Sequence, residues 1–477
     1  MASRPLETDD HDAATTNRNG SNVGIETGRR GEAEEVRGKK GGGVSEQEEK
    51  AQQQQDEEKL GGEEEETGVR HILFNIASSN ASFSKRVRYL RAWWRSGNHA
   101  DSASSESDAP LRGYVWMDDV ARFSKALRCG VGGTPPVRVS SSTAHLSYRG
   151  VALRDYVRMA RVVVDAYRLG EKNVRWYVMG DDDTFFSPHA LAAFLQQYDH
   201  RALLYLGSTS ETHMQNVDFT RTMAFGGAGF AVSAALARAL SAGDGMDPCL
   251  ERHAKLRGSD ERVAACIGEL GVSLTVAPGF HQCDLHHSLF GLLMSHPAQP
   301  LLSLHHFDTV DPILKPVGIK NRAQGLATLA KLIRPDPVGF AQLAVCGDGA
   351  NWTAAISWGF AIKIYPGERQ LSELERAERT FESYRWNKHA HAFNFDTRRW
   401  EPDAPAYRPC ALPFTLYATH GYEQRERQRA DACGECVQPH TTRKHRTRPL
   451  PLPSFDLQSD NSIRDQARRA YADRKWC

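Results

Sequence analysis

The chain has 477 residues, 40% hydrophobic and 25% charged. These values sit near globular averages and exclude a collagen-like or wholly disordered polymer. Sixty Lys and Arg balance 59 Asp and Glu, a net of +1, so the charge gives no support for nucleic acid as a partner. No run of about 20 apolar residues occurs, so no membrane span is visible; the best candidate, Met223 to Ala237, is too short and too glycine-rich.

Residues 1–68 hold no Phe, Trp, Tyr or Cys, and carry 18 acids against 9 bases. Such a segment cannot bury enough apolar area to offset its ordering entropy, which predicts a disordered acidic leader. It has no apolar central region and so does not read as a signal peptide. Order is expected from Val69. His71 to Ala77 is a short apolar run ending in Ser78 and Ser79, a buried strand. Ser82 or Ser84 can cap the helix that follows, with Val87, Leu90, Trp93 and Trp94 near one face. Residues 97–110 are a Ser- and Asp-rich loop. Gly113 to Met117 is a second strand, ending at Asp118 and Asp119. Residues 129–148 read as a loop, residues 153–169 as a helix, and Arg175 to Met179 as a third strand. The alternation of helices and strands predicts an α/β sheet with mainly parallel strands.

That third strand runs into Gly180-Asp181-Asp182-Asp183-Thr184-Phe185-Phe186. Three adjacent acids repel one another unless a cation neutralises them. Carboxylates suit Mn²⁺ or Mg²⁺, which also bind phosphate oxygens. Asp181 and Asp183 have the D-x-D spacing that can serve one metal. A helix N-cap also explains one acid here, with Pro188 marking a helix start. Phe225-Gly226-Gly227-Ala228-Gly229-Phe230 lacks a Walker lysine and does not open the first strand–helix unit, so it is neither a P-loop nor a dinucleotide fingerprint. It predicts close backbone approach to a ligand, or a tight turn. Gly258-Ser259-Asp260-Glu261 opens a helix; Asp260 or Ser259 can cap it, and a carboxylate there can also act as a general base. Phe280-His281 and Leu304-His305-His306-Phe307-Asp308 place histidines near acids. Adjacent His305 and His306 on a strand would point to opposite faces, so at most one would face a site.

Beyond about residue 320 the texture changes. Trp352 to Ile364 alternates like a strand, Trp386 to Trp400 is aromatic and His-rich, and Pro402 to Pro413 holds four prolines. The expected division is a leader (1–68), a main domain (69–320), a β-rich appendage (321–422) and a basic flexible tail (423–477). Nine cysteines include one CxxC, Cys433 and Cys436. A few disulfides in an oxidising compartment and buried free thiols are both compatible with them. Asn80 and Asn351 head acceptor patterns for N-glycans.

Taken in order, Ala92-Trp93-Trp94, the strand entering the acid triplet, the Phe225-to-Phe230 segment, Ser259-Asp260-Glu261 and Phe280-His281 resemble the Fringe-like β-1,3-glycosyltransferases, in particular their plant-type branch of uncharacterised function. The resemblance covers roughly residues 70–310. It implies a GT-A type, Rossmann-like mixed sheet with flanking helices, followed here by the β-rich appendage. It also implies a Mn²⁺ (or Mg²⁺) ion, a UDP-sugar donor, and inverting transfer to a hydroxyl of a glycan or glycoconjugate acceptor. Carried across by position, Asp181, Asp183 and His281 resemble the metal ligands, with Asp182 supporting the metal and ribose, and Asp260 resembles the catalytic base. Asp118 resembles the acid near the uridine. Arg86 resembles a phosphate contact, and Gly226 and Gly227 line the donor side. The family works in the Golgi behind an N-terminal membrane helix, a feature this sequence does not display. Two other classes compete: a non-catalytic glycan- or nucleotide-binding relative, and a metal-dependent phosphohydrolase, which would need further ligands for a second metal.

Overall fold

The structure, a computed structural model, describes residues 65–94, 110–119, 133–147, 150–297, 299–348, 351–384, 392–403 and 412–418. The leader up to residue 64, the loop at 97–109, the His-rich stretch at 386–391, most of the proline-rich stretch, the CxxC and the basic tail lie outside the described residues.

The N-terminal half of the described chain runs β1 (Ile72–Ala77), α1 (Phe83–Trp93), β2 (Arg112–Met117), β3 (Val137–Val139), α2 (Gly150–Tyr167), β4 (Trp176–Asp181), β5 (Phe185–Phe186), α3 (Pro188–Leu195), β6 (Tyr205–Gly207) and α4 (His213–Asp218). Then come β7 (Phe230–Ser233), α5 (Ala234–Leu240), α6 (Asp247–Arg252), α7 (Ser259–Glu269), β8 (Leu274–Val276), β9 (Phe280–His281), β10 (Leu285–His287), α8 (Phe290–Met294) and β11 (Ser303–Leu304). The C-terminal part holds α9 (Arg322–Ile333), β12 (Leu343–Gly347), β13 (Trp352–Ser357), β14 (Ala361–Pro366), α10 (Leu371–Leu374), β15 (Ala377–Glu378), β16 (Phe381–Ser383), β17 (Thr397–Arg398) and β18 (Phe414–Tyr417).

Seven strands form the central sheet in the order β3-β2-β1-β4-β7-β6-β8. All neighbours are parallel except β7, which is antiparallel to both β4 and β6. The fold is therefore a mixed α/β sheet flanked by helices. β1 reads as a continuous apolar run because both of its faces are covered. Ile72, Phe74 and Ile76 enter one apolar cluster, with Trp176, Val178 and the indoles of Trp93 and Trp94. Leu73 enters the cluster on the other face, with Tyr177, Met179, Val163 of α2 and Ile267 of α7. The period of two in these strands thus sorts successive side chains into two separate cores.

β3 lies within the stretch that reads as a loop from sequence. It has three residues, of which only Val137 is buried. A strand this short on a sheet edge offers no period to detect. Beyond β11, β12, β13, β14 and β18 form an antiparallel sheet. Its inner residues Leu343, Val345, Ala361 and Tyr365 belong to the same apolar cluster as Phe74 of β1. The described residues, from 65 onward, belong to one compact unit. A disulfide joins Cys249 of α6 to Cys266 of α7, Cys346 is also disulfide-bonded, and Cys283 is a buried thiol. Among the described residues, no helix is long and apolar enough to cross a membrane.

Candidate active site

The register of the parallel strands sets Ala77 opposite both Trp116 and Asp181. Asp118 and the acid triplet therefore leave the sheet at one edge, the carboxyl end at which open α/β sheets bind ligands. β7 runs the other way with Phe230 opposite Met179, so the glycine-rich segment before it arrives at the same edge. The start of α7 completes the border, because Asp260 accepts the Gly226 N–H at 2.8 Å.

The three acids have three different surroundings. Asp183 is fully buried. Its Oδ1 accepts from Arg86 Nη1 and from His305 Nε2, both at 3.1 Å, while its Oδ2 is buried without a hydrogen-bond partner. Asp181 keeps 29% side-chain exposure and lies 3.8 Å from His305 Nε2. Asp182 points away from this pair into a socket on α1. Its Oδ2 accepts from the hydroxyls of Ser78 and Ser82 at 2.6 Å each, and its Oδ1 from Arg86 at 3.1 Å. Ser82 precedes α1 but makes no capping bond to the helix backbone, because its hydroxyl is directed to Asp182.

His305 is aimed by its other nitrogen. A carbonyl can only accept, so Nδ1–H donates to the Gln282 carbonyl at 3.1 Å and Nε2 faces the carboxylates. A hydrogen bond on the far nitrogen is how metal-binding histidines are usually held. Ligand atoms of Asp181, Asp183 and His305 all lie within 4.8 Å of one another. Two carboxylates and an imidazole suit Mn²⁺ better than Mg²⁺, which favours all-oxygen sets. The orphaned Oδ2 of Asp183 is what a cation site would leave behind, since an unpaired buried carboxylate oxygen is costly. A second grouping, Cys249, His253 and Glu269, does not fit a metal, because the Cys249 sulfur is in the disulfide.

The electrostatics follow the same division. Burial pushes the Asp181 carboxyl up to about 7, with His305 opposing and Asp183, Asp260 and Asp182 adding to the rise. Burial acts the same way on Asp183, but the His305 and Arg86 charges outweigh it and hold it at about 2. Burial alone would lower His305; Asp183 and Asp181 instead raise it to about 9. Burial opposes the Arg86 charge too, and Asp183 and Asp182 more than restore it.

Asp260 is released from capping by its neighbour. Gly258 is the N-cap of α7, and Glu261 accepts the Gly258 N–H at 2.8 Å, so neither Ser259 nor Asp260 is the cap. Asp260 Oδ2 takes the Gly226 N–H and Oδ1 takes the Ser259 hydroxyl at 2.9 Å. Burial raises its carboxyl above the ordinary range, against those two hydrogen bonds. Asp181, Gly226 and Asp260 share a recess of about 30 Å³, room for a water or an ion.

The glycines serve the site's own side chains. A Cβ at Gly226 would lie 2.5 Å from Asp260 Oδ1, and one at Gly227 would lie 2.2 Å from His305 Cε1. Thr184 ties this segment to the acids. Its hydroxyl donates to the Gly227 carbonyl and accepts the Asp181 N–H, both at 2.8 Å, and its carbonyl accepts from the Trp93 indole at 3.0 Å.

Two expected residues stand elsewhere. His281 does not join the carboxylates. Its Nδ1 meets Glu211 at 3.1 Å and its Nε2 meets His296 at 2.9 Å, so both ring nitrogens are engaged in a buried cluster of their own. The histidine of the site is His305, one residue beyond Leu304, which is the ladder partner of His281. Asp118 accepts the Asn80 N–H at 3.0 Å on the outer part of the same edge. Arg86 is engaged by Asp182, Asp183 and Asp308. The expected opposition of His305 and His306 also fails. β11 ends at Leu304, and His306 has φ 59°, which breaks the alternation. The two rings stack at 4.1 Å, and His306 lies 3.0 Å from Asp284. Thr184, Asp284 and Gln282 carried no sequence signal as site residues; they act through backbone or distant partners.

Comparison with known proteins adds little beyond this geometry. A family model described as "Protein of unknown function, DUF604" matches residues 215–448. No curated protein matches the chain. Among solved structures, the chain is similar to mouse xyloside xylosyltransferase 1 in its apo form, at 12% identity and a TM-score of 0.28, over 46% of this chain and 86% of that one.

Proposed function

We propose that the chain is a metal-dependent GT-A glycosyltransferase that moves a sugar from a nucleotide-linked donor to a hydroxyl of a glycan or glycoconjugate, with inversion. The observation that carries this reading is the clustering of Asp181, Asp183 and His305, with one Asp183 oxygen buried and unpartnered and with Asp181 sharing a recess with Asp260. Asp181, Asp183 and His305 would hold the cation, with His305 in the place that the resemblance gives to His281. The chemistry such an ion would supply is neutralisation of the charge on the donor's diphosphate. The resemblance seen in the sequence favours Mn²⁺, a UDP-linked sugar, a β-1,3 linkage and the Golgi lumen.

The remaining chemistry belongs to side chains of this chain. Asp260 Oδ2 is held by Gly226, which leaves Oδ1 beside the movable Ser259 hydroxyl to receive a proton. The acceptor O–H gives that proton to Asp260 as its oxygen bonds the anomeric carbon. The sugar–phosphate bond breaks on the opposite face, and the electron pair leaves with the nucleotide. Arg86 fixes Asp183, and Asp182 fixes Arg86, so the ligand carboxylate is oriented before any donor arrives.

The test is UDP binding by calorimetry with and without Mn²⁺, followed by transfer from a panel of UDP-sugars. The parent should bind UDP more tightly with Mn²⁺, and Asp183→Ala should lose that difference. Asp260→Asn should keep it while transfer falls by about 10²–10⁴-fold. Equal UDP affinity in the parent with and without Mn²⁺ would refute the metal reading. Full turnover in Asp260→Asn would assign the base to another group.

A further inference from the structure

A cavity of about 510 Å³, lined by none of the acids of the site, lies where the loops after β10 meet the C-terminal antiparallel sheet. Its size falls within the roughly 300–1,000 Å³ of small-molecule sites. None of its lining residues takes part in the proposed transfer. Its walls combine the rings of Trp400, Phe290 and Tyr417 with three carboxylates (Asp311, Glu382, Asp403) and three cations (Lys315, Lys363, Arg379).

Three observations define what such a cavity would hold. First, Trp400 is 53% exposed, yet its segment is pinned. The adjacent Glu401 carbonyl accepts from the buried Lys363 ammonium at 2.7 Å, and the Glu401 carboxylate accepts from Arg369 at 3.1 Å. The backbone that carries the indole is thus held, and about half of the Trp400 surface is open to solvent. Second, the charges balance, and two of the cations are committed: Lys315 to Asp311 at 3.0 Å, and Lys363 to Glu378 at 2.8 Å. At these two cations a phosphate or sulfate would have to displace a carboxylate, which leaves Arg379 as the remaining cation of the wall. Third, Asp403 and Glu382 keep 42% and 38% side-chain exposure and offer acceptors for hydroxyl groups. A solvent-facing indole on an anchored segment, charge neutrality and carboxylate acceptors suit a neutral ring compound with C–H faces and a hydroxyl rim.

We infer that this cavity binds a neutral saccharide, the part of the acceptor glycan remote from the hydroxyl that receives the sugar. The choice of acceptor glycan rests on the glycosyltransfer reading above. The cavity and the site are joined by one short ladder. β10 pairs with β16, with His287 opposite Phe381 at the cavity end and Leu285 opposite Ser383 at the other. Tyr384 follows directly, and its ring stacks 5.1 Å from His306, which stacks on His305. From His287 to Leu285 the ladder rises about 7 Å, and the rings of Tyr384, His306 and His305 continue the path to Asp183, so the acceptor that spans both is a glycan several rings long rather than a single sugar.

The experiment uses the full chain without donor or metal. Neutral oligosaccharides cut from β-glucan, xylan, mannan and galactan are titrated by calorimetry, beside a sulfated oligosaccharide. At least one neutral fragment should bind. Trp400→Ala, and Asp403→Asn as a second variant, should each weaken that binding by about tenfold or more without lowering the thermal midpoint. Asp183→Ala should bind the fragment as the parent does, so loss of the transfer reading would leave this result standing. Binding of no neutral fragment, of the sulfated probe alone, or of a fragment that ignores both cavity variants would overturn the inference.

Discussion

Gly226 and Gly227 show how the site constrains single residues. Each is glycine because a functional side chain occupies the space of its missing Cβ, and the two substitutions should therefore fail differently. His305 cannot retreat, since its Nδ1 is held by the Gln282 carbonyl. Gly227→Ala should accordingly lose metal-dependent UDP binding. Gly226→Ala presses on Asp260 alone; it should keep metal-dependent binding and lower transfer by about 10²-fold, the cost of a small misplacement of a reacting group. Calorimetry and turnover measured on both variants check the separation. The pH profile belongs to this scale as well. A base works as the carboxylate, and burial holds the Asp260 carboxyl above its ordinary range. Transfer should therefore fall, as pH decreases, at a pH above the usual value of about 4, and Asp260→Asn should remove that limb from the residual rate.

Among the elements, α1 has the least expected role. The sequence presents it as an amphipathic helix with indoles on one face; Leu90, Trp93 and Trp94 are buried and Val87 is half-buried. Its polar side, however, is a clasp on the loop after β4. Ser82 and Arg86 hold Asp182, and Trp93 holds Thr184. Both carboxylate oxygens of the middle acid are thus engaged, and we propose that Asp182 anchors the loop, where the resemblance implies support of the metal and ribose. Asp182→Ala should destabilise the chain by about 3 kcal/mol, the scale for removing one partner of a buried charged pair, read as a shift in the urea midpoint. Metal-dependent UDP binding should survive below that midpoint. Its complete loss in well-folded Asp182→Ala protein would give Asp182 the metal and ribose role that the resemblance implies.

At the scale of the whole molecule, one apolar cluster links β1 to the C-terminal sheet, and a buried ionic network fastens the far side. Glu378 is 1% exposed and accepts two bonds from Lys363, one from the Tyr365 hydroxyl and one from Arg398. Replacing the carboxylate leaves the Lys363 ammonium buried without its counter-charge. Glu378→Gln should cost about 3–5 kcal/mol. Because the core is continuous, the loss should appear as an earlier single transition, followed together by tryptophan fluorescence and far-UV dichroism. Two separated transitions would mean that the C-terminal sheet unfolds by itself. The same network holds the segment that presents Trp400, so the stability of this region and the proposed saccharide cavity share one support.

Local pattern and composition were enough to locate β1, β2 and β4, the α/β class, and the acids at the end of β4. Each depends on residues adjacent in the chain: an apolar run, its period, and the polar residues that stop it. The division of labour among Asp181, Asp182 and Asp183 was not legible, because identical neighbours acquire different roles only from what α1 and β11 bring against them. The choice of His305 over His281 was hidden for a like reason. It depends on a left-handed residue after β11 and on a carbonyl of a distant loop, neither of which leaves a mark in the order of residues. The cavity beside Trp400 is likewise a product of tertiary structure, since its walls come from segments more than a hundred residues apart. Short-range free energy is written in the sequence; the juxtaposition of remote side chains exists only once the chain has closed around its core.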